Sequence, residues 1–359
     1  MSRIDAALIA FLVTAVFILA LRPVAYAVGL VDRPGGRKGH RGIVPVVGGI
    51  CMFLGLLSVL PLLETPIHNQ GGFLVAAGLL VLIGALDDRF DLPPSVRLVT
   101  QATAALIVCL SAGLEAENLG NLLFFGDIHL GPLALPFTVL VIIAVINAFN
   151  MMDGLDGLAG GIGLAALAAA TFAAVVFGNG TGASLGFVSI AVVTSFLFFN
   201  FPSIHNRRVR TFMGDAGSTL LGFIVAWIGL KLAHGPTPAI SPVTALWIAA
   251  LPIFDLFISF GRRVAKGKNP LHPDSEHFHH ILFRSGFSVR QVAIIMTTVA
   301  FVMAMSGVLA HQAGVPDGVL LIGLIVIGTL QTLAVRRAWK IASWIRRYRG
   351  TEQLERAGG

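Results

Sequence analysis

The chain has 359 residues, of which 56% are hydrophobic and 12% charged, and it carries a formal net charge of +7. A water-soluble domain holds about 25% charged residues, so these figures exclude a soluble multidomain protein and place the chain among polytopic, all-α membrane proteins. The basic excess is scattered through short loops, which suits topology and anionic lipid or substrate better than nucleic acid.

Eleven apolar segments follow one another, at approximately 6–22, 46–63, 73–86, 98–112, 135–152, 159–177, 184–201, 217–232, 243–260, 291–310 and 318–335. Several are shorter than the roughly 20 residues that cross a bilayer, so they must extend into flanking sequence. The first imitates a signal peptide, because Ala25-Tyr26-Ala27 resembles a cleavage site. Its basic leader is Arg3 alone, and cleavage would send the Arg- and Lys-rich loop behind it outward, so the segment reads as a retained helix. Alternating the segments across the membrane puts 23 of the 25 Lys and Arg on one side and leaves Arg3 and Lys231 opposite. The charge rule then predicts an outer N-terminus and a cytoplasmic C-terminus. Removing one segment destroys the alternation, which sets the expected count at eleven. The membrane domain spans 1–335. In the basic tail, 336–359, Trp339, Trp344 and Tyr348 alternate with cations, as in a helix lying on anionic lipid. Cys51 and Cys109 both lie in apolar segments and support no disulfide or thiolate metal site.

Polar clusters gather at the cytoplasmic ends of these segments, where carboxylates, amides and imidazoles are costly without a task. In chain order, Asp32 leads into a basic loop from Arg33 to Arg41 that contains Lys38. The loop is able to wrap phosphates, although it is not a Walker-type P-loop because no GKS or GKT opens a helix. Asp87-Asp88 ends the third segment. Adjacent carboxylates repel, which raises one pKa unless a cation intervenes; one acid could take a proton from a phosphate, or both could simply pair with Arg89 or Arg97. Asn147 and Asn150 share a helix face, and Asp153 and Asp156 follow beside Gly154 and Gly157. Four amide and carboxylate groups in ten positions exceed what a helix cap needs, and their oxygens suit Mg2+. Phe212-Met213-Gly214-Asp215 opens the eighth segment, with Asp215 either a helix cap or a metal ligand and Phe212 either an interfacial anchor or a stacking surface for a base. Asp255 pairs with Arg262 or lies near a substrate phosphate. In the longest inner loop, His277, His279 and His280 stand near Arg262, Arg263 and Arg284. No Cys or HExxH pattern accompanies them, so an anion-binding cluster is favoured over zinc or a merely solvated loop.

Taken in order, the DD pair, the NxxNMxDGxDGL run, FMGDAGS, the late HxHH loop and the basic loop before Val46-Val47-Gly48-Gly49 resemble the polyprenyl-phosphate N-acetylhexosamine-1-phosphate transferases, glycosyltransferase family 4, over nearly the whole chain. The resemblance implies transfer of a sugar 1-phosphate from a UDP-N-acetylhexosamine to polyprenyl (undecaprenyl) phosphate in the bacterial inner membrane, with release of UMP and use of Mg2+ or Mn2+. The run from Pro273 to His280 looks like the branch that uses UDP-N-acetylglucosamine; the peptidoglycan branch usually shows an HHHFE-type run there. Glu276 departs from the Arg or Gln common in the UDP-N-acetylglucosamine branch. Donors carrying N-acetylfucosamine, N-acetylquinovosamine or MurNAc-pentapeptide are the alternatives. By position, the resemblance makes Asn150 and Asp215 metal ligands and Asp87 or Asp88 the base toward the lipid phosphate. It places Asp153 near the diphosphate, Asp156 and Phe212 at the uracil, and Lys38, His277, His279, His280 and Arg284 at the diphosphate or sugar. It also suggests a homodimer. Two rivals are an ion-coupled transporter, which would need mid-membrane acids, broken helices and commonly internal repeats, and an inactive scaffold, which should have lost a motif acid. The sequence shows no internal repeat and no missing motif acid.

Overall fold

The computed structural model describes residues 1–33, 42–63, 70–202, 210–235, 238–265, 267 and 278–337, with Arg284 described in its backbone alone. Each apolar segment meets a helix: α1 (Arg3–Val28), α2 (Gly48–Val59) with a 3-10 turn at Leu60–Leu62, α3 (Gln70–Phe90), α4 (Pro94–Ala112), α5 (Ala134–Met152), α6 (Leu158–Val176), α7 (Gly180–Asn200), α8 (Gly214–Ala233), the pair α9 (Pro242–Ile248) and α10 (Ala250–Ala265), then, after a short α11 (Phe278–Arg284), α12 (Val289–Gln312) and α13 (Asp317–Arg336). Among the described residues nine helices are long and apolar enough to cross a membrane, or ten if α9 and α10 form one span, and Gly48–Leu62 is shorter. The expected eleven crossings therefore exceed what length and composition alone support.

Local chemistry sets several helix ends. The Ser2 hydroxyl accepts from the Asp5 N–H at the start of α1, and Ser288 and Gln291 form a reciprocal capping box at the start of α12. Pro94 occupies the first turn of α4, where its missing N–H costs nothing.

α8 is the central pillar, buried along nearly its whole length and packed by α2, α3, α5, α6 and α9. Packing in lipid relies on close backbone approach, because lipid tails are as apolar as Leu. Glycines provide that approach here: a Cβ on Gly84 of α3 would stand 2.5 Å from the Ala216 Cα, and one on Gly49 of α2 would collide with the Gly217 backbone. Phe73 stacks on Phe223 at 5.4 Å and meets the edge of Trp227, filling the space between α3 and α8. The outer helices α1, α4 and α13 are mostly unburied. Their Leu8, Leu110 and Leu330 side chains lie 60%, 73% and 61% exposed, a pattern that lipid, not water, solvates.

One feature departs from the sequence reading, and a second adds to it. The ninth segment is not continuous: α9 and α10 meet at 83° around Ala249. Pro252 lies in the first turn of α10 and has no N–H to offer the Ile248 carbonyl, so the helix restarts there. The basic loop, in turn, has an ordered base. Val31–Asp32 pairs antiparallel with Val44–Pro45, and the Phe212 N–H donates to the Pro45 carbonyl (2.9 Å) while the Gly48 N–H donates to the Phe212 carbonyl (3.0 Å). This hairpin base fixes the strand-like approach to α8.

Candidate active site

The polar ends of α3 and α5 meet the start of α8. Successive helix residues point about 100° apart, so Asp87 and Asp88 serve different partners. Asp88 turns to α8, where Oδ1 accepts from the Asp215 N–H (2.8 Å) and Oδ2 from the Ala216 N–H (3.3 Å). It thereby satisfies two of the four unpaired N–H groups that open any helix. Asp215, one of the two readings for which was a cap, leaves that task to Asp88. Gly214 has φ +70°, and a side chain there would strike the Asp88 carboxylate, so glycine is required by both conformation and space.

Asp87 faces a cavity of about 550 Å3 that it lines with Asn147, Asn150, Asp153, Asp215, Arg97, Arg263, His279 and His280. Its Oδ1 accepts from the Leu92 N–H (2.7 Å), and its Oδ2 lies 3.2 Å from Arg97 Nη1. The same nitrogen is 3.8 Å from Asp215 Oδ2. Of the two arginines offered to the acid pair, Arg97 thus meets Asp87, whereas Arg89 donates to the Val28 carbonyl (3.1 Å).

Asn150 Nδ2 donates to Asp215 Oδ1 (2.6 Å) and to Ser218 Oγ (3.0 Å). One turn earlier, Asn147 donates to Gln101 Oε1 (2.6 Å) and the Ile143 carbonyl (2.8 Å). Asp153 terminates α5 with its side chain reachable through the cavity yet surrounded by protein. That partial loss of water, reinforced by the Asp215 charge, pushes its carboxyl up to about 7.

His279 is buried on α11 and closes the cavity from the side of α10. Asp255 positions it indirectly: Oδ1 accepts from the Phe278 N–H (3.0 Å) at the start of α11. A Cβ on Gly154 would stand 2.9 Å from His279 Nε2, so that glycine allows the imidazole to reach the turn after α5. The His280 ring lies 4.3 Å from it.

Asp156 and Phe212 form a second cluster through Arg210, which is ion-paired to Asp156 and sits 5.0 Å over the Phe212 ring. Asn200 ties the two motif loops together by accepting from the Gly157 N–H (2.7 Å) and donating to the Thr211 carbonyl (2.9 Å). Lys38 and His277 lie outside the described residues, as does the Arg284 side chain. Sequence reasoning did not single out Gln101, Arg210 or Asn200, which nothing in their local spacing marks; it named Arg97 as a possible partner of the acid pair and Arg263 as part of an anion-binding cluster.

Among the described residues no three His, Cys, Asp or Glu side chains converge to hold a metal ion unaided. Asn150 and Asp215 nevertheless offer hard donors on one cavity wall, and a half-turn of the Asn150 amide presents its oxygen in place of nitrogen. A partial shell of this kind suits Mg2+, which keeps waters and takes further oxygens from substrate phosphates.

The fold and cavity define an integral membrane protein with an acid-lined site at one end of its helices. Residues 71–233 match the family model for glycosyl transferase family 4, and the chain belongs to that family. It is 40% identical over 349 residues, 97% of the chain and 95% of the relative, to the undecaprenyl-phosphate alpha-N-acetylglucosaminyl 1-phosphate transferase of Escherichia coli strain K12. Proteins of the same name match from Salmonella typhi, at 39% over 94% of the chain and 92% of the relative, and from Haemophilus influenzae, at 36% over 97% and 99%.

Proposed function

We propose that the protein transfers N-acetylglucosamine 1-phosphate from UDP-N-acetylglucosamine to undecaprenyl phosphate at the cytoplasmic face of the bacterial inner membrane, starting a lipid-linked cell-surface polysaccharide. The observation that carries this reading is the joint lining of one cavity by Asp87, Asn150, Asp153, Asp215 and His279, from four separate parts of the chain. The names of the full-length relatives support the choice of donor and acceptor.

In the reaction an oxygen of the lipid phosphate attacks the β-phosphorus of the UDP-sugar. A new P–O bond forms, the bond from that phosphorus to the bridging oxygen breaks, and UMP leaves. Little covalent work falls to the protein, so positioning and charge compensation dominate. Asp87, in the cavity, is placed to take a proton from the lipid phosphate, while Asp88 positions the start of α8 and with it Asp215. Asn150 and Asp215 would hold Mg2+, which offsets the charge of the meeting phosphates. Asp153 lines the same cavity and is the proposed neighbour of the diphosphate, and the imidazoles of His279 and His280 face the same space. Asp156 and Phe212, linked through Arg210, are the proposed uracil contacts.

The cavity wall continues into Leu256, Phe257 and Phe260 of α10, of which Phe257 is 61% exposed. An adjoining apolar groove of about 980 Å3 between α10 and α13 shares Phe257 and His280 with it. This continuity suits an acceptor whose head is charged and whose chain is lipid.

The test is UMP release by detergent-purified protein given undecaprenyl phosphate and UDP-N-acetylglucosamine, with and without Mg2+. Release that needs both the lipid and Mg2+ is the expected result. Release only with another UDP-N-acetylhexosamine would change the donor and keep the chemistry, and silence with every donor would overturn the reading.

A further inference from the structure

The acceptor's phosphate must arrive from the lipid side, and the cations expected at the diphosphate, Lys38 and His277, lie outside the described residues. α4 is a peripheral helix, largely unburied along its span. Its residues Pro94, Arg97, Leu98 and Gln101 recur at helical spacing and line the acidic cavity as one stripe, while Val99 on the outward side is 66% exposed. α4 therefore borders both lipid and active site.

On that stripe Arg97 is held between two carboxylates, 3.2 Å from Asp87 Oδ2 and 3.8 Å from Asp215 Oδ2, with its side chain 37% exposed. Both contacts use Nη1, so the guanidinium retains donors for a further anion. Asp87 is buried, its side chain 2% exposed, but the arginine end of the pair is open to the cavity, and a guanidinium matches two phosphate oxygens with parallel N–H donors. One turn along, Gln101 Oε1 is occupied by Asn147, which leaves the Gln101 amide nitrogen as its remaining donor.

We propose that Arg97, with Gln101 beside it, forms the subsite for the phosphate group of the lipid acceptor. The inference rests on the transferase reading and adds to it a location and a binding residue. Arg97 thus has two partners in turn. Without acceptor it compensates Asp87 and Asp215; with acceptor it grips the phosphate and leaves Asp87 beside an anion oxygen.

The experiment compares Arg97→Ala, Arg97→Lys and wild-type full-length protein in UMP release, varying undecaprenyl phosphate at saturating UDP-N-acetylglucosamine and then the reverse. The expected result is a KM for the lipid raised at least tenfold in Arg97→Ala, a KM for the nucleotide sugar within twofold of wild type, and partial recovery in Arg97→Lys. Equal effects on both KM values, or a fall in kcat with the lipid KM unchanged, would overturn the inference while leaving the transferase reading intact. If Arg97→Ala does not fold, Arg97→Lys and Gln101→Leu carry the same test, each expected to raise the lipid KM selectively. Wild-type protein that releases no UMP would overturn the underlying reading and this inference together.

Discussion

Asp87 and Asp88 illustrate how much the neighbouring residue matters when two identical side chains differ by a single helical step. One faces the cavity and an arginine; the other caps α8 by accepting from the Asp215 N–H, 127 residues later. Substitutions of the capping acid Asp88 and of Asp215, which faces the cavity as Asp87 does, should separate accordingly. Asp215→Ala is expected to lower kcat about 100-fold or more, the scale on which losing one preorganised charge-stabilising group acts, with the thermal midpoint little changed. Asp88→Ala should lower both turnover and the midpoint, because losing an N-terminal cap costs about 1 kcal/mol. Paired melting curves and UMP assays distinguish the two. Asp153 adds a pH signature in metal-free protein. Its folded-state pKa of about 7 lies above the ordinary carboxylate value of about 3.9, so the native state holds the proton more tightly than the unfolded chain. Stability from this group is full below pH of about 4 and is lost as pH rises through about 7. Asp153→Asn should therefore gain on wild type in thermal midpoint between pH 5 and 8, a range that melts in detergent can cover. The acids themselves were legible in sequence because polar groups in apolar surroundings stand out. The division of labour between Asp87 and Asp88 was not, since a cap donated across such sequence separation leaves no local mark.

At the level of elements, the site depends on how closely α2 and α3 approach the start of α8. Gly84→Ala would place a Cβ 2.5 Å from the Ala216 Cα and 2.9 Å from the Asp215 carbonyl carbon. Relieving that contact means moving α3 or α8, at a cost of about 1–3 kcal/mol for overpacking. Turnover should fall as well, because Asp215 rides on the displaced turn. Gly71→Ala, at the other end of α3 with open space around it, is the control that should change neither melting nor UMP release. Helix positions were readable because apolar runs of this length have few alternatives in a bilayer. The break at Ala249 was not, because averaged hydropathy passes smoothly over Pro252. The role of α4 was only partly readable: the sequence offers Arg89 or Arg97 to the acid pair, and the fold sets Arg97 against Asp87 while Arg89 turns to the Val28 carbonyl.

Across the whole molecule, chemistry and surface are segregated by helix end. α8 runs from Asp215 at the acidic cavity to a separate polar depression lined by Glu115, His234, His311 and Asp317. Asp317→Ala at that far end should leave UMP release near the wild-type value, whereas chelation of divalent cations with EDTA should abolish it and added Mg2+ restore it; a steady-state assay reads both. The bent junction of α9 and α10 gives this arrangement a further consequence. The wall that turns aside there carries Phe257, which the acidic cavity and the apolar groove against α13 share, so a charged head and its hydrocarbon chain would each meet a surface of their own kind. One reactant would then be found by searching a surface and the other by searching a volume.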